Sequence, residues 1–490
     1  MPGKYLALDF GAESGRAILG KLSRDKIDLT EIHRFENRQV ERNGHTHWDI
    51  QHLFTELKRA LQIAANSGHK DLDGIAVDTW GVDFGLLDDR DQLIDDPVVY
   101  RDARTNGMVE RALELMPAEE LYRNTGNQMI QINTLFQLLS LVESKKHILE
   151  KARTLLFMPD LFNLVLTGNK RCEYTIASTS QLLNARTKQW ADAVFDKLNL
   201  PRSIMLDVLS PGARVGKLLP AICAETGLTS VEVIAAGGHD TACAVGAVPA
   251  KGEDWAYISS GTWSLVGVEL DEPILDERGR KNNFTNEGGI NNRIRFLRNT
   301  MGLWLLQRCQ QNWAEAGETF GYDELVEMAG HARPFHCWID PDDTTFLNPS
   351  NMPAAIANFC KRTNQSPPAD KSQFIRTVLE SLALKYRYVI DLINEIRGKK
   401  LEVIHIVGGG SKNELLNQFT ANATGLPVIA GPVEATAAGN VLSQAAARGE
   451  IPDFGVGREL VARSFPLKTY EPSNHKKWAD FYQRTKPHFT

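Results

Sequence analysis

"YLALDFGAESGRAILG", residues 5–20, is an apolar run, a small glycine-containing turn and a second apolar run. Tyr5 to Phe10 breaks its hydrophobic series only at Asp9, and Arg16 to Leu19 resumes it after the turn. The stretch therefore reads as strand, turn, strand rather than as a strand-to-helix junction. The design returns in "AYISSGTWSLVGVEL", residues 256–270. Further on, "LEVIHIVGGGSKNELLNQFTANATG", residues 401–425, reads as a strand, a triple-glycine turn and an amphipathic helix stopped at Gly425. Two halves that each open on strand–turn–strand, with helices behind, imply a duplicated α/β domain facing itself across a cleft.

Working outward, a third strand is expected near Ile27–Phe35. Asp49 opens a helix with Ile50, Leu53, Phe54, Leu57, Leu61 and Ala64 at helical spacing. Ile75–Val77 reads as a buried strand ending in the polar "DTWGVDF" (78–84), and helices are expected near Thr134–Ser144 and Pro159–Leu166. "NQSPPAD" (364–370) reads as a surface connection.

A chain of 490 residues is too long for one core. Its 55 basic and 61 acidic residues leave a net charge of −6, which disfavours nucleic acid or an anionic membrane as partner. The chain starts directly in a strand-like pattern, with no secretory signal, and no apolar run reaches the roughly 20 residues of a membrane span. Six scattered cysteines without a Cys-x-x-Cys pair read as reduced thiols. The expectation is a cytoplasmic protein.

P-loop, HExxH, GxSxG and GxGxxG signatures are all missing. Three small-residue turns remain. "DFGAESGR" (9–16) offers backbone amides for an anion and a carboxylate for Mg²⁺, or else is an ordinary hairpin. "SSGTWS" (259–264) offers hydroxyls and a glycine amide, or is a polar turn. "VGGGSKN" (407–413) spends more glycine than a turn requires, which favours a ligand lying against the backbone; Asn413 either caps the next helix or touches that ligand. "DTWGVDF" mixes carboxylates with an aromatic, as sugar sites do. "YRDARTNG" (100–107) is a positioning loop or a solvated turn. His45 and His47 have strand spacing for two metal ligands, but no third is apparent, so they read as solvent-exposed. In "GGHDTACAVG" (237–246), Asp240 is either the cap of a close-packed helix or a catalytic base.

Taken in order, "ALDFGAESGR", "GIAVDTWGVDF", "YRDARTNG", "EYTIASTSQL", "GGHDTACAV", "SSGTWSLVG", "TNEGG", "RNTMGLWLLQR" and "HIVGGGSKNELLNQFTANATG" resemble the FGGY family of carbohydrate kinases along nearly the whole chain. The resemblance implies two ribonuclease-H-like domains of the actin, Hsp70 and sugar kinase type. Their expected extents are 1–246 for sugar and 247–473 for nucleotide, with 474–490 folding back on the first domain. "DTWGVDF", "HDTA" and "NTMGLWLLQR" resemble members acting on L-rhamnulose, which implies phosphorylation of its 1-hydroxyl by ATP with Mg²⁺. By family position Asp240 is the base. Gly81, Asp83, His239, Thr241 and Asn299 would meet the sugar. Ala12, Glu13, Ser14, Gly15, Arg16, Thr262, Gln307 and Gly409 would serve ATP, and Asp9 would organise Mg²⁺. Glu13 departs from the small polar residue common in that turn. Partners are then the sugar and ATP, with no nucleic acid or membrane, and the oligomeric state is left open. The alternatives are a kinase for another ketose, such as L-fuculose or L-xylulose, and a non-catalytic nucleotide-switched binding protein.

Overall fold

The structure, a computed structural model, describes residues 3–489; Met1, Pro2 and Thr490, which fall in the terminal ranges expected above, lie outside the described residues. The chain divides into two compact units. One comprises Met1–Pro249, Leu270–Phe296 and Ala435–Ser464, the other Ala250–Glu269, Leu297–Glu434 and Phe465–Thr490.

In the first unit the strand order is Ala213–Lys217, Glu232–Ala235, Gly74–Thr79, Gly3–Phe10, Ser14–Leu22, Ile27–Glu36. Gly3–Phe10 runs antiparallel to Ser14–Leu22 and parallel to Gly74–Thr79. It has neighbours on both edges, and its run Tyr5–Leu8 is wholly buried, which is why the sequence shows a continuous apolar series instead of alternation. In the second unit, Lys468–Tyr470, Val428–Ala430, Val403–Val407, Trp255–Ser260 and Trp263–Leu270 follow one another in the same sequence of antiparallel, parallel, parallel and antiparallel pairings. The repeated strand–turn–strand motif thus opens two sheets with the same pairing pattern, although the outer pair is threaded in opposite order: the edge strand Ala213–Lys217 precedes Glu232–Ala235 in the chain, whereas the edge strand Lys468–Tyr470 follows Val428–Ala430.

Local signals act as read. Asp49 caps the helix Ile50–Asn66, its carboxylate accepting the His52 amide at 3.0 Å, and the periodic Leu53, Leu57, Leu61 and Ala64 are buried. Pro159 sits in the first turn of Met158–Thr167, where its missing N–H costs nothing. Thr134–Ser144 is helical. The six cysteines form no disulfide. No helix among the described residues is long and apolar enough to cross a membrane.

The units are not contiguous in sequence, whereas the expected domains were. The helix Ala435–Ala447 was assigned to 247–473 but belongs to the first unit. It is rich in alanine, with a glycine at 439, and this lets it lie directly on Asp240–Gly246: a Cβ on Gly439 would stand 1.8 Å from the Cys243 carbonyl oxygen. Ser443 Oγ donates to the Ala236 carbonyl at 2.6 Å and Gln444 Nε2 to Leu6 at 3.2 Å. The terminal helix His475–Thr485 clusters with the second unit rather than the first. Trp478 packs on Phe419, ring centroids 5.1 Å apart, and His475 Nδ1 bonds the Asn422 carbonyl at 2.9 Å.

Because backbone rather than a side chain fills the space beside Gly439, it cannot yield to an added group. Gly439→Val is expected to destabilise the fold by about 1–3 kcal/mol, seen as a lower urea midpoint at unchanged slope. A midpoint equal to that of the unsubstituted protein would contradict this packing.

Candidate functional site

In the first unit, the parallel register of Gly3–Phe10 and Gly74–Thr79 sets Asp9 beside Asp78. The Thr79 amide then donates to the Gly238 carbonyl at 2.8 Å, tying the loop that carries Asp240 to the end of the same strand. That loop is also hung from below. Glu173 Oε2 accepts the Gly238 amide at 2.8 Å and the Thr175 hydroxyl at 2.6 Å, and Thr175 Oγ1 accepts the His239 amide at 3.1 Å.

Asp240 is not the helix cap. His239 holds that position, and Asp240 is the first residue of Asp240–Gly246. Its carboxylate accepts the amide and the hydroxyl of Thr241, the latter at 3.0 Å. Its side chain is 28% exposed, against 7% for Asp9, while Asp78 is wholly buried. Of the three, Asp240 alone offers an open carboxylate. Burial first, and the Asp9 charge with it, push the Asp240 carboxyl up. Asp78 is driven well above the usual carboxylate range by burial and by Asp9. Two cationic or amide partners offset this repulsion: Arg16 pairs with Asp9, and Asn440 Nδ2 donates to Asp78 Oδ2 at 2.6 Å.

Around the turn, Gly11 N donates to Ser14 O at 3.0 Å, Ala12 is half-buried, and Glu13 points its side chain outward while its carbonyl accepts the Asn37 amide. Gly15 has an internal reason: a Cβ there would lie 2.0 Å from the Phe35 ring. The donor set around Asp9, Asp78 and Asp240 is oxygen only, which suits a hard cation. No three His, Cys, Asp or Glu among the described residues close into a metal cage, and Mg²⁺, which keeps several of its waters, does not demand one.

His239 stands against this cluster. Its Nε2 is 3.4 Å from Asp240 Oδ1, and its Nδ1 meets Arg295 Nη2 at 3.0 Å. A Cβ on Gly81 would come within 3.5 Å of His239 Nε2 and 3.4 Å of Thr179. Gly81, Thr179, His239 and Asp240 therefore converge on one place. Asp83, expected to meet a sugar, does not join them. It is wholly buried, and its oxygens accept Trp48 Nε1 at 2.7 Å, Trp80 Nε1 at 3.0 Å, the Tyr100 amide at 3.3 Å and Gln137 Nε2 at 3.1 Å. This carboxylate assembles the "DTWGVDF" loop from inside.

His45 and His47 are likewise not solvent-exposed. His47 is buried with Nδ1 2.8 Å from the Asp96 carbonyl, and His45 Nδ1 lies 2.9 Å from Asp102. Asp102 also accepts the Thr46 and Arg104 amides at 2.9 Å each, so "YRDARTNG" braces a neighbouring hairpin instead of forming a solvated turn.

In the second unit the "SSGTWS" turn is fixed by the chain that follows Met301. Gly302 N donates to Thr262 O at 3.1 Å and Leu303 N to Gly261 O at 2.9 Å. The helix Trp304–Glu315, which carries Gln307, thereby starts on that turn; Asn299 lies on the strand leading in, half-buried. Asn413 caps Glu414–Thr424 through the Leu416 amide at 2.9 Å and donates to Tyr322 Oη at 2.9 Å, so its side chain is spoken for. The three glycines separate by cause. Gly408 has φ +84°, and Gly410 would place a Cβ 2.1 Å from Ser260 Oγ. A Cβ on Gly409 meets nothing within 4 Å, so no internal packing explains that glycine.

Sequence reasoning missed Arg295, Glu287 and Asn440. "TNEGG" was a visible signal for Glu287. Arg295, between the buried Ile294 and Phe296, looks like the outward residue of an alternating strand, yet it is wholly buried.

Two family models match the chain: the FGGY family of carbohydrate kinases N-terminal domain over residues 4–246 and its C-terminal domain over 256–448. The rhamnulokinase of Bacteroides thetaiotaomicron is 43% identical over 482 residues, 98% of each chain. That of Bacillus subtilis is 37% identical over 470 residues, 96% of each. Among solved structures, ligand-bound xylulose kinase from Lactobacillus acidophilus superposes with a TM-score of 0.79 at 16% identity, covering 99% of this chain and 97% of that one. Plasmodium falciparum glycerol kinase with ADP gives 0.77 at 14%, covering 99% and 98%. The fold is that of the two-domain sugar kinases.

Burial pushes the Asp83 carboxyl up to about 6, the indole and Gln137 donors holding it from going higher. In this case the folded state binds the extra proton between the unfolded value, about 3.9, and that raised one. Stability is therefore lost as pH rises through the window, by about 3 kcal/mol in all. The unfolding free energy of the protein relative to its Asp83→Asn variant should fall by that amount from pH ~4 to ~6 and then stay level; a difference flat across the window would count against it.

Proposed function

Because this chain belongs to the FGGY family of carbohydrate kinases, we propose that it transfers the γ-phosphoryl group of ATP to the 1-hydroxyl of L-rhamnulose, releasing L-rhamnulose 1-phosphate and ADP, with Asp240 as general base. The substrate rests on the likeness to rhamnulokinases over 98% of the chain. The base rests on one observation: among the carboxylates brought together, Asp240 is the one with an exposed oxygen, held at a fixed angle by Thr241.

Phosphoryl transfer through a loose transition state asks little of the nucleophile, so a modest base suffices if it is aimed. The environment that raises the Asp240 carboxyl also makes its ionised form a better proton acceptor. Gly81, Thr179 and His239 bound the space in front of it, and the missing side chain at Gly81 lets a sugar approach the backbone. Asp9, acting through water, is the residue that would hold Mg²⁺; that ion supplies neutralisation of phosphate charge. Arg16 holds Asp9 and keeps a positive charge beside the Ala12–Gly15 turn. In the second unit, Thr262, Gln307 and Gly409 are the nucleotide residues of this reading, and Gly409 is the one whose lack of a side chain serves nothing else.

ADP release should be measured with ATP, Mg²⁺ and a panel of L-rhamnulose, L-fuculose, L-xylulose, D-xylulose, D-fructose and glycerol. L-Rhamnulose is expected to give the highest kcat/KM, and a clear preference for another sugar would overturn the substrate. Asp240→Asn should lower kcat by about 10²–10⁴-fold with ATP still bound. In the unsubstituted protein the acid limb of kcat/KM should lie above the ordinary carboxylate range, since Asp240 must be ionised and its carboxyl is raised. Gly409→Val should fold normally and raise KM for ATP roughly tenfold, about 1.4 kcal/mol, at unchanged KM for the ketose. An unaltered ATP dependence would remove Gly409 from the nucleotide site.

A further inference from the structure

We propose that Arg295, held by Glu287, fixes His239 as the neutral tautomer with its proton on Nε2, and is thereby a positioning residue for Asp240. This rests on the role given to Asp240 above. Arg295 is wholly buried on the strand Ile294–Met301. Its Nε donates to the Gly288 carbonyl at 2.8 Å, and its Nη2 reaches both Glu287 Oε2 and His239 Nδ1 at 3.0 Å. A guanidinium only donates, so Nδ1 must accept with its lone pair, and in a neutral ring the proton then sits on Nε2.

The opposite edge of the ring carries that proton to the place where it is used. Nε2 lies 3.4 Å from Asp240 Oδ1 and faces the space beside Gly81 and Thr179. The groups facing the ring are Asp240 on one side and Glu287 and Arg295 on the other, Glu287 Oε2 being 3.4 Å from Nδ1. A proton on Nδ1 would set one N–H donor against another, the Arg295 Nη2 at 3.0 Å, beside a buried cation. A neutral donor orients the carboxylate without the full positive charge that would weaken it as a base. The backbone adds precision: the amide of His239 is anchored on Thr175 and Thr79 is bridged to it, so the ring is aimed from both ends.

The test is a ¹⁵N spectrum of the full-length protein labelled at histidine, with the His239 signals assigned by their loss in His239→Gln. Expected at about pH 8, above the ordinary histidine pKa, are a bare Nδ1 and a protonated Nε2. A protonated Nδ1, or a charged ring, overturns the proposal. Removing Arg295 alone strands Glu287, so the companion variant is the uncharged pair Arg295→Met with Glu287→Met. It should show both tautomers in exchange, and a single Nε2–H tautomer there would also overturn the proposal. Kinetically, Gln can place an amide N–H where Nε2–H stands and Asn cannot reach, so His239→Gln should keep about tenfold more kcat than His239→Asn; equal losses refute the donor role. The spectrum needs no substrate. Absence of turnover with every sugar would sink the catalytic reading while leaving the tautomer decided.

Discussion

Asp78, Asp83, Glu173 and Glu287 are all buried in the first unit, and a buried carboxylate is tolerable only where donors replace its water. Each has found them in a different way. Asp83 collects two indoles and two amides, Glu173 collects the loop before Asp240, Glu287 holds Arg295, and Asp78 takes Asn440 from a helix more than 350 residues away in the chain. The need to satisfy these buried carboxyl groups ties distant segments to one place. The site is the meeting point of those ties.

The arrangement separates support from chemistry. Closed carboxylates fix loops, and the one carboxylate left partly open, Asp240, inherits a raised pKa from its neighbours without being saturated by them. Asp83 illustrates the division. It stands in the same short motif as Gly81, and by residue type it is as good a sugar ligand as any. Its four donors make it a brace, and it is Gly81 that faces His239. The glycines divide in the same way. Gly15, Gly410 and Gly439 are small because a ring, a hydroxyl or a carbonyl occupies the space where a side chain would be, whereas a Cβ on Gly81 would make only ordinary contact with Thr179 and His239, and one on Gly409 would meet nothing within 4 Å.

Where the sequence misled, long-range contact was the cause. The helix Ala435–Ala447 follows the second unit's strands in the chain and was read with them, because a run of alanine and glycine carries no mark of its partner. His45 and His47 looked like surface residues, since an alternating hairpin gives no sign that Asp102 and the Asp96 carbonyl will cover it. Arg295 was passed over because a charge in a strand ordinarily points to solvent.

What the sequence determined by itself was local and periodic: the two strand–turn–strand openings, the helix capped by Asp49, the triple-glycine turn with its capped helix, and the family motifs around Asp240. These are legible because hydrophobic period, caps and glycine act over a few residues. Only the tertiary structure decided which carboxylate is open, which histidine nitrogen is engaged, and which glycines are there for packing. Those properties depend on what stands opposite each group, and the partners come from other segments of the chain, 56 residues away for His239 and Arg295 and 362 for Asp78 and Asn440.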